Sequence, residues 1–313
     1  MTWRILVSAP YIQPSIELFN SLFASHNAEI ILPEVHERLS EEELFDLVGE
    51  IDGVVAGDDH FTRRVLEKAV PRLRVISKWG TGIDAFDQDA CREFGIVIRN
   101  TPDAFTAPVA DSVLGYILAF ARQQPWMDLQ MKAGVWNKIP GRALNETTLG
   151  IIGVGQIGKA IAQRAKGFGM RILGNDPVVM PDEFMSATGI EMVSKRALLK
   201  RADFVTVNCD LNPTSRSLIS AEDFRDMKSS AVIINLARGL IIDEPAMIAA
   251  LLGNEIAGAA LDVFADEPLP AESLLRQMDN VMLAPHNSNS SPHAWGRVHE
   301  STLKNLFEVL EGQ

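Results

Sequence analysis

An α/β protein with two doubly wound parallel sheets is the fold class this sequence predicts, and three observations predict it. Short apolar strands alternate with helical patterns through residues 1–100. A second α/β series starts at Leu149 and runs to about Ala284. At its head, residues 149–177 read as strand, glycine turn, helix, strand and acid, the order a dinucleotide-binding βαβ unit requires.

In chain order, the apolar runs predict strands at 5–7, 29–32, 51–56, 73–77 and 96–98. Helices at 16–24, 62–69 and 85–94, and one opening at Ser40, separate them. Ser40 with Glu43 three residues on is a capping box. Residues 104–122 predict a long apolar helix with Val109, Val113, Ile117 and Phe120 on one side. Pro125 breaks it, and Trp126, Leu129 and Met131 mark a second helical stretch. Residues 134–148 are irregular and polar, either an arm that packs on another subunit or a plain linker. Strands follow at 149–154, 170–174, 202–208, 231–236, 256–263 and 281–284. From Pro292 the tail reads as a helix with Trp295, Val298, Leu303, Leu306 and Leu310 in an apolar stripe.

The glycine turn is the most informative stretch. Gly153, Gly155 and Gly158 are spaced G-x-G-x-x-G. Gly153 makes the tight turn, Gly155 lets backbone approach a pyrophosphate, and Gly158 lets helix pack on strand. Gln156 and Ile157 open the helix, whose N–H groups and positive dipole end face the anion. Asp176 lies roughly 20 residues beyond the first glycine, where a carboxylate accepts both ribose hydroxyls and repels a 2′-phosphate. NAD is therefore the expected cofactor. The rival is a P-loop, since residues 153–160 read G-x-x-x-x-G-K-A. Ala160 stands where that loop needs a hydroxyl for magnesium, which removes the metal ligand and argues against an ATPase.

Composition bounds the rest. With 313 residues, 47% hydrophobic and 22% charged, the chain has room for two ordinary globular domains. A net charge of −12 argues against nucleic acid and anionic membrane as partners. Any anion site must then be locally cationic. Cys91 and Cys209 lack metal-ligand spacing, so no metal site is expected. No apolar run approaches the ~20 residues of a membrane span. The start, MTWRILVSAP, passes straight into a strand, so no signal peptide and a cytoplasmic location are expected.

Arg238, Glu267 and His286 each follow a predicted strand end in the second series. Ligands of open parallel sheets bind beyond those ends. Arg238 offers a planar fork of donors for a carboxylate or carbonyl oxygen. His286 can exchange a proton near neutral pH, and Glu267 on its other ring nitrogen would fix the tautomer. Hydride acceptor, proton acceptor and carboxylate clamp together describe alcohol oxidation beside a carboxylate. The bland reading of each is a surface ion pair, a solvated loop acid and a satisfied strand-end histidine. His293 competes with His286, but it sits in a Ser-Pro-His run that starts a helix.

With these residues, the chain resembles the D-isomer-specific 2-hydroxyacid dehydrogenases, which include phosphoglycerate dehydrogenase and hydroxypyruvate/glyoxylate reductase. KWGTGIDAFD (78–87), NTPDAFTAPVAD (100–111), GVGQIG with Asp176, DFVTVNCDLNPTSR (203–216), INLARGLIIDE (234–244), ALDVFADEP (260–268) and APH (284–286) carry the resemblance over nearly the whole chain. It implies a Rossmann NAD-binding domain, residues 100–286, inserted into a flavodoxin-like substrate domain of residues 1–99 and 287–313. It implies Arg238, Glu267 and His286 as the catalytic residues. Asp262 matches an acid that holds the nicotinamide carboxamide, and Ala237 joins the cofactor set. Thr81 and Gly82 match the loop that grips the substrate carboxylate; Asn100, at the domain crossover, and Lys78 join them. The family closes a cleft between its domains and is usually dimeric, so a small 2-hydroxy or 2-keto acid and a second copy are the expected partners.

Several departures qualify the resemblance. Asn287, Ser288 and Asn289 follow His286 where the family has an apolar residue, glycine and a small residue. Asp210 stands where proline is frequent. Gly57, Asp58, Asp59 and His60 lack the arginine of phosphorylated-substrate members, which argues against phosphoglycerate as substrate, although Lys78 and Arg99 are near. With an end at Gln313, the regulatory domain of long phosphoglycerate dehydrogenases is not expected. Glu267 disfavours the formate-oxidising branch, which has glutamine there. Alternatives are a D-3-phosphoglycerate dehydrogenase specifically, or a non-catalytic NAD-sensing regulator on the same fold.

Overall fold

Two parallel sheets, each in its own unit, organise the computed structural model, which describes residues 2–312. One unit comprises the chain up to Phe105 together with the segment from Ser291 on; the other is Thr106–Ser290.

The first unit alternates strand and helix: β1 (Trp3–Val7), α1 (Asn20–Ser25), β2 (Ala28–Ile31), α2 (Glu41–Leu47), β3 (Gly53–Ala56), α3 (Arg63–Ala69), β4 (Val75–Lys78), α4 (Gln88–Phe94) and β5 (Val97–Arg99). The strand order is β2-β1-β3-β4-β5, the flavodoxin-like order, and every pairing is parallel. The expected capping box is formed: Ser40 Oγ accepts from Glu43 N, and Glu43 accepts from Ser40 N at 2.8 Å. The helix expected at 16–24 is different. Gln13–Phe19 is a 3₁₀ helix and only its continuation, α1, is α-helical. Pro14 sits in its first turn, and the Gln13 side chain is tied to the Val7 and Pro33 carbonyls at 2.9 and 3.0 Å. These fix the entry of a short segment that buries little.

The second unit begins with the helices α5 (Thr106–Arg122) and α6 (Gln124–Lys132). Then come β6 (Thr148–Ile152), α7 (Gln156–Gly167), β7 (Arg171–Asn175), α8 (Asp182–Thr188), β8 (Glu191–Met192), α9 (Lys195–Arg201), β9 (Phe204–Val207), α10 (Ala221–Asp226), β10 (Val232–Asn235), α11 (Glu244–Leu252), β11 (Gly258–Leu261) and β12 (Val281–Leu283). Their order is β12-β11-β10-β9-β6-β7-β8, the Rossmann order with one strand added. β9, β10 and β11 are buried at every residue, as parallel strands covered on both faces must be. Finally α12 (Pro292–Leu310) returns to the first unit. There Ser77 Oγ donates to Thr302 O at 2.7 Å. A Cβ on Gly53 would meet Leu306 at 2.8 Å, so glycine lets α12 lie close on β3.

One buried acid ties together the N-terminal edge of the second sheet. Asp203, 7% exposed, accepts from Thr148 N at 2.8 Å, Arg142 at 3.0 Å and Lys228 at 3.1 Å. Burial alone would raise its pKa, but the Thr148 N–H and the two cations outweigh that and hold it below the usual carboxylate range. A depressed folded pKa gives stability that is present above the unfolded pKa and lost as pH falls through the folded one. Asp203→Asn should therefore cost about 1–3 kcal/mol at neutral pH. The difference in melting temperature between wild type and variant should shrink below about pH 4. An unchanged difference from pH 7 to pH 3 would refute this account.

Candidate functional site

The second unit carries one set of site residues along the C-terminal edge of its sheet. β6 runs into Gly153, at φ +87°, where a Cβ would lie 2.6 Å from Cys209 N. A Cβ on Gly158 would lie 2.2 Å from Gly153 O, so only glycine lets α7 approach the turn this closely. A Cβ on Gly155 would meet nothing within 4 Å. Its side of the loop is thus a cradle where backbone can approach a ligand. No side chain caps the N-terminus of α7, which opens at the cradle. Asp176 ends β7 and braces the loop: Oδ2 accepts from Val154 N at 2.7 Å and Oδ1 from Val178 N at 2.8 Å. The cradle, dipole and oriented acid fit a dinucleotide pyrophosphate and ribose.

The strands β10, β11 and β12 deliver the three charged residues. Asn235, the last residue of β10, is 1% exposed and clamps the turn that follows: its Oδ1 accepts from Ala237 N at 3.1 Å and its Nδ2 donates to Arg238 O at 2.9 Å. A Cβ on Gly239 would fall 1.9 Å from the Phe264 backbone, so the Arg238 turn lies directly on the loop that leads to Glu267. Glu267 Oε1 accepts from Phe264 N at 2.9 Å, and its Oε2 is 3.1 Å from His286 Nδ1. His286 and Glu267 are about one-fifth exposed, at 21% and 19% of their side-chain surface. A carboxylate can only accept, so it fixes Nδ1 as a protonated nitrogen.

Asp262 is fully buried, and both carboxylate oxygens are used within the protein. Oδ1 accepts from Asn287 N at 2.7 Å and Oδ2 from Ser288 N at 2.8 Å. His286 N donates to the Asp262 carbonyl at 2.8 Å. These bonds hold His286 at φ +50°, a left-handed backbone unusual outside glycine. The departure at Asn287–Ser288 is compatible with the clamp, because the bonds come from backbone N–H groups.

The first unit holds Lys78, Thr81, Gly82 and Asn100 along its own C-terminal edge. The loop after β4 is pinned to the chain after β5. Thr101 Oγ1 accepts from Gly80 N at 3.1 Å, Thr81 Oγ1 donates to Thr101 O at 3.1 Å, and Asn100 Nδ2 donates to Thr81 O at 2.7 Å. Lys78 is 4% exposed. His293 lies exposed in the first turn of α12, in the unit that lacks Glu267. Asn235 and Thr101 were not among the residues expected from sequence. Each lies inside a quoted motif, but a buried polar residue that clamps a turn has no spacing of its own.

Residues 114–288 match the family described as D-isomer specific 2-hydroxyacid dehydrogenase, NAD binding domain. The chain is 38% identical over 314 residues to the D-3-phosphoglycerate dehydrogenase of Methanocaldococcus jannaschii, covering 99% of this chain and 58% of that one. It is 36% identical over 252 residues to the glyoxylate reductase of Korarchaeum cryptofilum, covering 79% and 76%. The crystal structure of the TT0316 protein from Thermus thermophilus superposes with a TM-score of 0.86 at 30% identity, covering 99% and 97%. The chain spans about half the length of the phosphoglycerate dehydrogenases it matches.

The cradle makes a direct prediction. Gly158→Ala should weaken NADH binding at least about tenfold, because the methyl group displaces the loop that meets the pyrophosphate. Fluorescence titration reads the affinity, and circular dichroism checks the fold. Unchanged affinity in a folded variant would refute the assignment.

Proposed function

The chain belongs to the D-isomer specific 2-hydroxyacid dehydrogenase family and carries its NAD-binding domain, and we propose that it interconverts a small D-2-hydroxy acid and the 2-keto acid. The observation that carries this reading is the His286–Glu267 pair on the same sheet edge as the glycine cradle and Arg238. Bound NAD supplies the hydride acceptor, or the donor in reverse. His286 Nε2 takes the proton of the C2 hydroxyl during oxidation and returns it during reduction. Glu267 holds the imidazole in the tautomer that makes this possible and balances the charge it gains. Arg238 orients the substrate carboxylate and polarises the C2 oxygen with its fork of donors. The backbone of Thr81 and Gly82, with Asn100, receives the carboxylate end, Lys78 braces their loop from beneath, and Asp262 serves the nicotinamide end through the loop it clamps.

His286→Ala should lower kcat by at least about a hundredfold while NADH binding persists. NADH oxidation against a panel of 2-keto acids measures both. Full turnover in the variant would sink the assignment. A regulatory protein on the same fold remains the second reading, favoured only if NADH binds and no acid is turned over.

The working form is a cytoplasmic homodimer. Its support is the arm that follows α6: Trp136 is 86% exposed, and Leu129, Met131 and Val135 are exposed beside it in sequence. Such an apolar run in water is a surface that a second copy covers. Trp136→Ala should shift the protein towards monomer in sedimentation velocity at micromolar concentration. A dimer as tight as wild type would count against the arm.

A further inference from the structure

We infer that Asp58 sets the substrate class: a 2-keto or 2-hydroxy acid without a phosphate, whose C3 substituent is uncharged and donates a hydrogen bond. The inference rests on the dehydrogenase reading above. It separates this chain from the phosphoglycerate dehydrogenases to which it is similar.

Strand register brings two loops together. β3 and β4 are neighbours, with Ala56 opposite Lys78. The chain therefore leaves β3 into Gly57–Asp58–Asp59 beside the point where it leaves β4 into the Thr81–Gly82 loop. The two adjacent acids have opposite fates. Asp59 is fully buried and structural: it accepts from Ser8 Oγ at 2.6 Å, Leu39 N at 2.8 Å and Gly57 N at 2.9 Å. Asp58 turns outward, with 37% of its side chain exposed, and its Oδ1 lies 3.2 Å from Lys78 Nζ.

Lys78 is the cation a phosphate would need, and it is already committed. Its Nζ donates to Trp79 O at 3.0 Å and lies 3.7 Å from the Cβ position of Gly80, beneath the carboxylate loop. With Asp58 as counter-ion, the pair adds no net positive charge to this corner. Arg99 does not replace it. Arg99 is opposite Ser77, whose hydroxyl bonds to α12, so its side chain leaves the sheet on that face, one residue before the edge. The next residue, Trp79, packs toward α12, where its Nε1 donates to His299 Nδ1 at 2.8 Å, and it brings no cation to this corner. A dianionic phosphate here would meet a carboxylate. A hydroxyl would find in Asp58 an acceptor.

The test compares hydroxypyruvate with its 3-phosphate by NADH oxidation, in wild type and Asp58→Asn. Wild type should favour hydroxypyruvate in kcat/KM by about a hundredfold or more, and the variant should cut that ratio at least about tenfold, chiefly through a lower KM for the phosphorylated acid. A wild-type preference for the phosphorylated acid overturns the inference on its own, with no variant needed. So does a ratio that Asp58→Asn leaves in place. Turnover of neither acid, or of any other 2-keto acid, while NADH still binds would overturn the dehydrogenase reading and this inference with it.

Discussion

Three hydrogen bonds to one buried residue, Asp262, hold the backbone that presents His286. Its carbonyl receives His286 N, and its two carboxylate oxygens receive Asn287 N and Ser288 N. A left-handed conformation costs a non-glycine residue about 1–2 kcal/mol. Each hydrogen bond to a buried carboxylate contributes about as much or more. The loop is therefore over-determined, and the strained turn survives because bonds to β11 and its end offset the strain. The direction matters to the chemistry. With a relaxed backbone the imidazole would leave the strand end at another angle, and Nδ1 would not lie 3.1 Å from Glu267.

The same device recurs across both units. Asp176 receives backbone N–H groups at the glycine turn, Asp203 at the opposite edge of that sheet, and Asp59 in the first unit. Parallel sheets end in loops whose N–H groups have no ladder partner, and buried acids supply the acceptors. This gives the acidic composition a structural meaning. Part of the net charge of −12 is internal architecture, and the local cations, Arg238 above all, need only outweigh their own neighbourhood.

Much of this was legible in the sequence, and the reason is physical. Fully buried strands appear as uninterrupted apolar runs, so β9, β10 and β11 could be located, though each run overshot its ladder by a residue or more. The glycine spacing revealed the cradle because only glycine tolerates a φ of +87° at Gly153 and a neighbour 2.2 Å from the Cβ position of Gly158. Other features carried no pattern. β8 has two residues, too few for periodicity to register. The 3₁₀ start of the first helix depends on Gln13 reaching two carbonyls across the fold. The opposite orientations of Asp58 and Asp59 could not be read from two identical letters, because what turns Asp59 inward is a set of donors drawn from the end of β1, from the loop before α2 and from Gly57.

That last distinction bears on how far similarity carries. Identity of 38% over nearly the whole chain speaks to the shared fold, and a fold hosts more than one substrate. Substrate choice depends on a few outward-facing groups at the loop ends, where one charge decides. Asp58 is such a group, and Lys78 is the buried cation it pairs with. A lysine buried at a strand end reads as an anion receptor until its counter-ion is located. With Asp58 3.2 Å away, the same lysine becomes a brace for the carboxylate loop. The fold follows from family membership, but the chemical class of the substrate has to be argued from this corner of the first sheet.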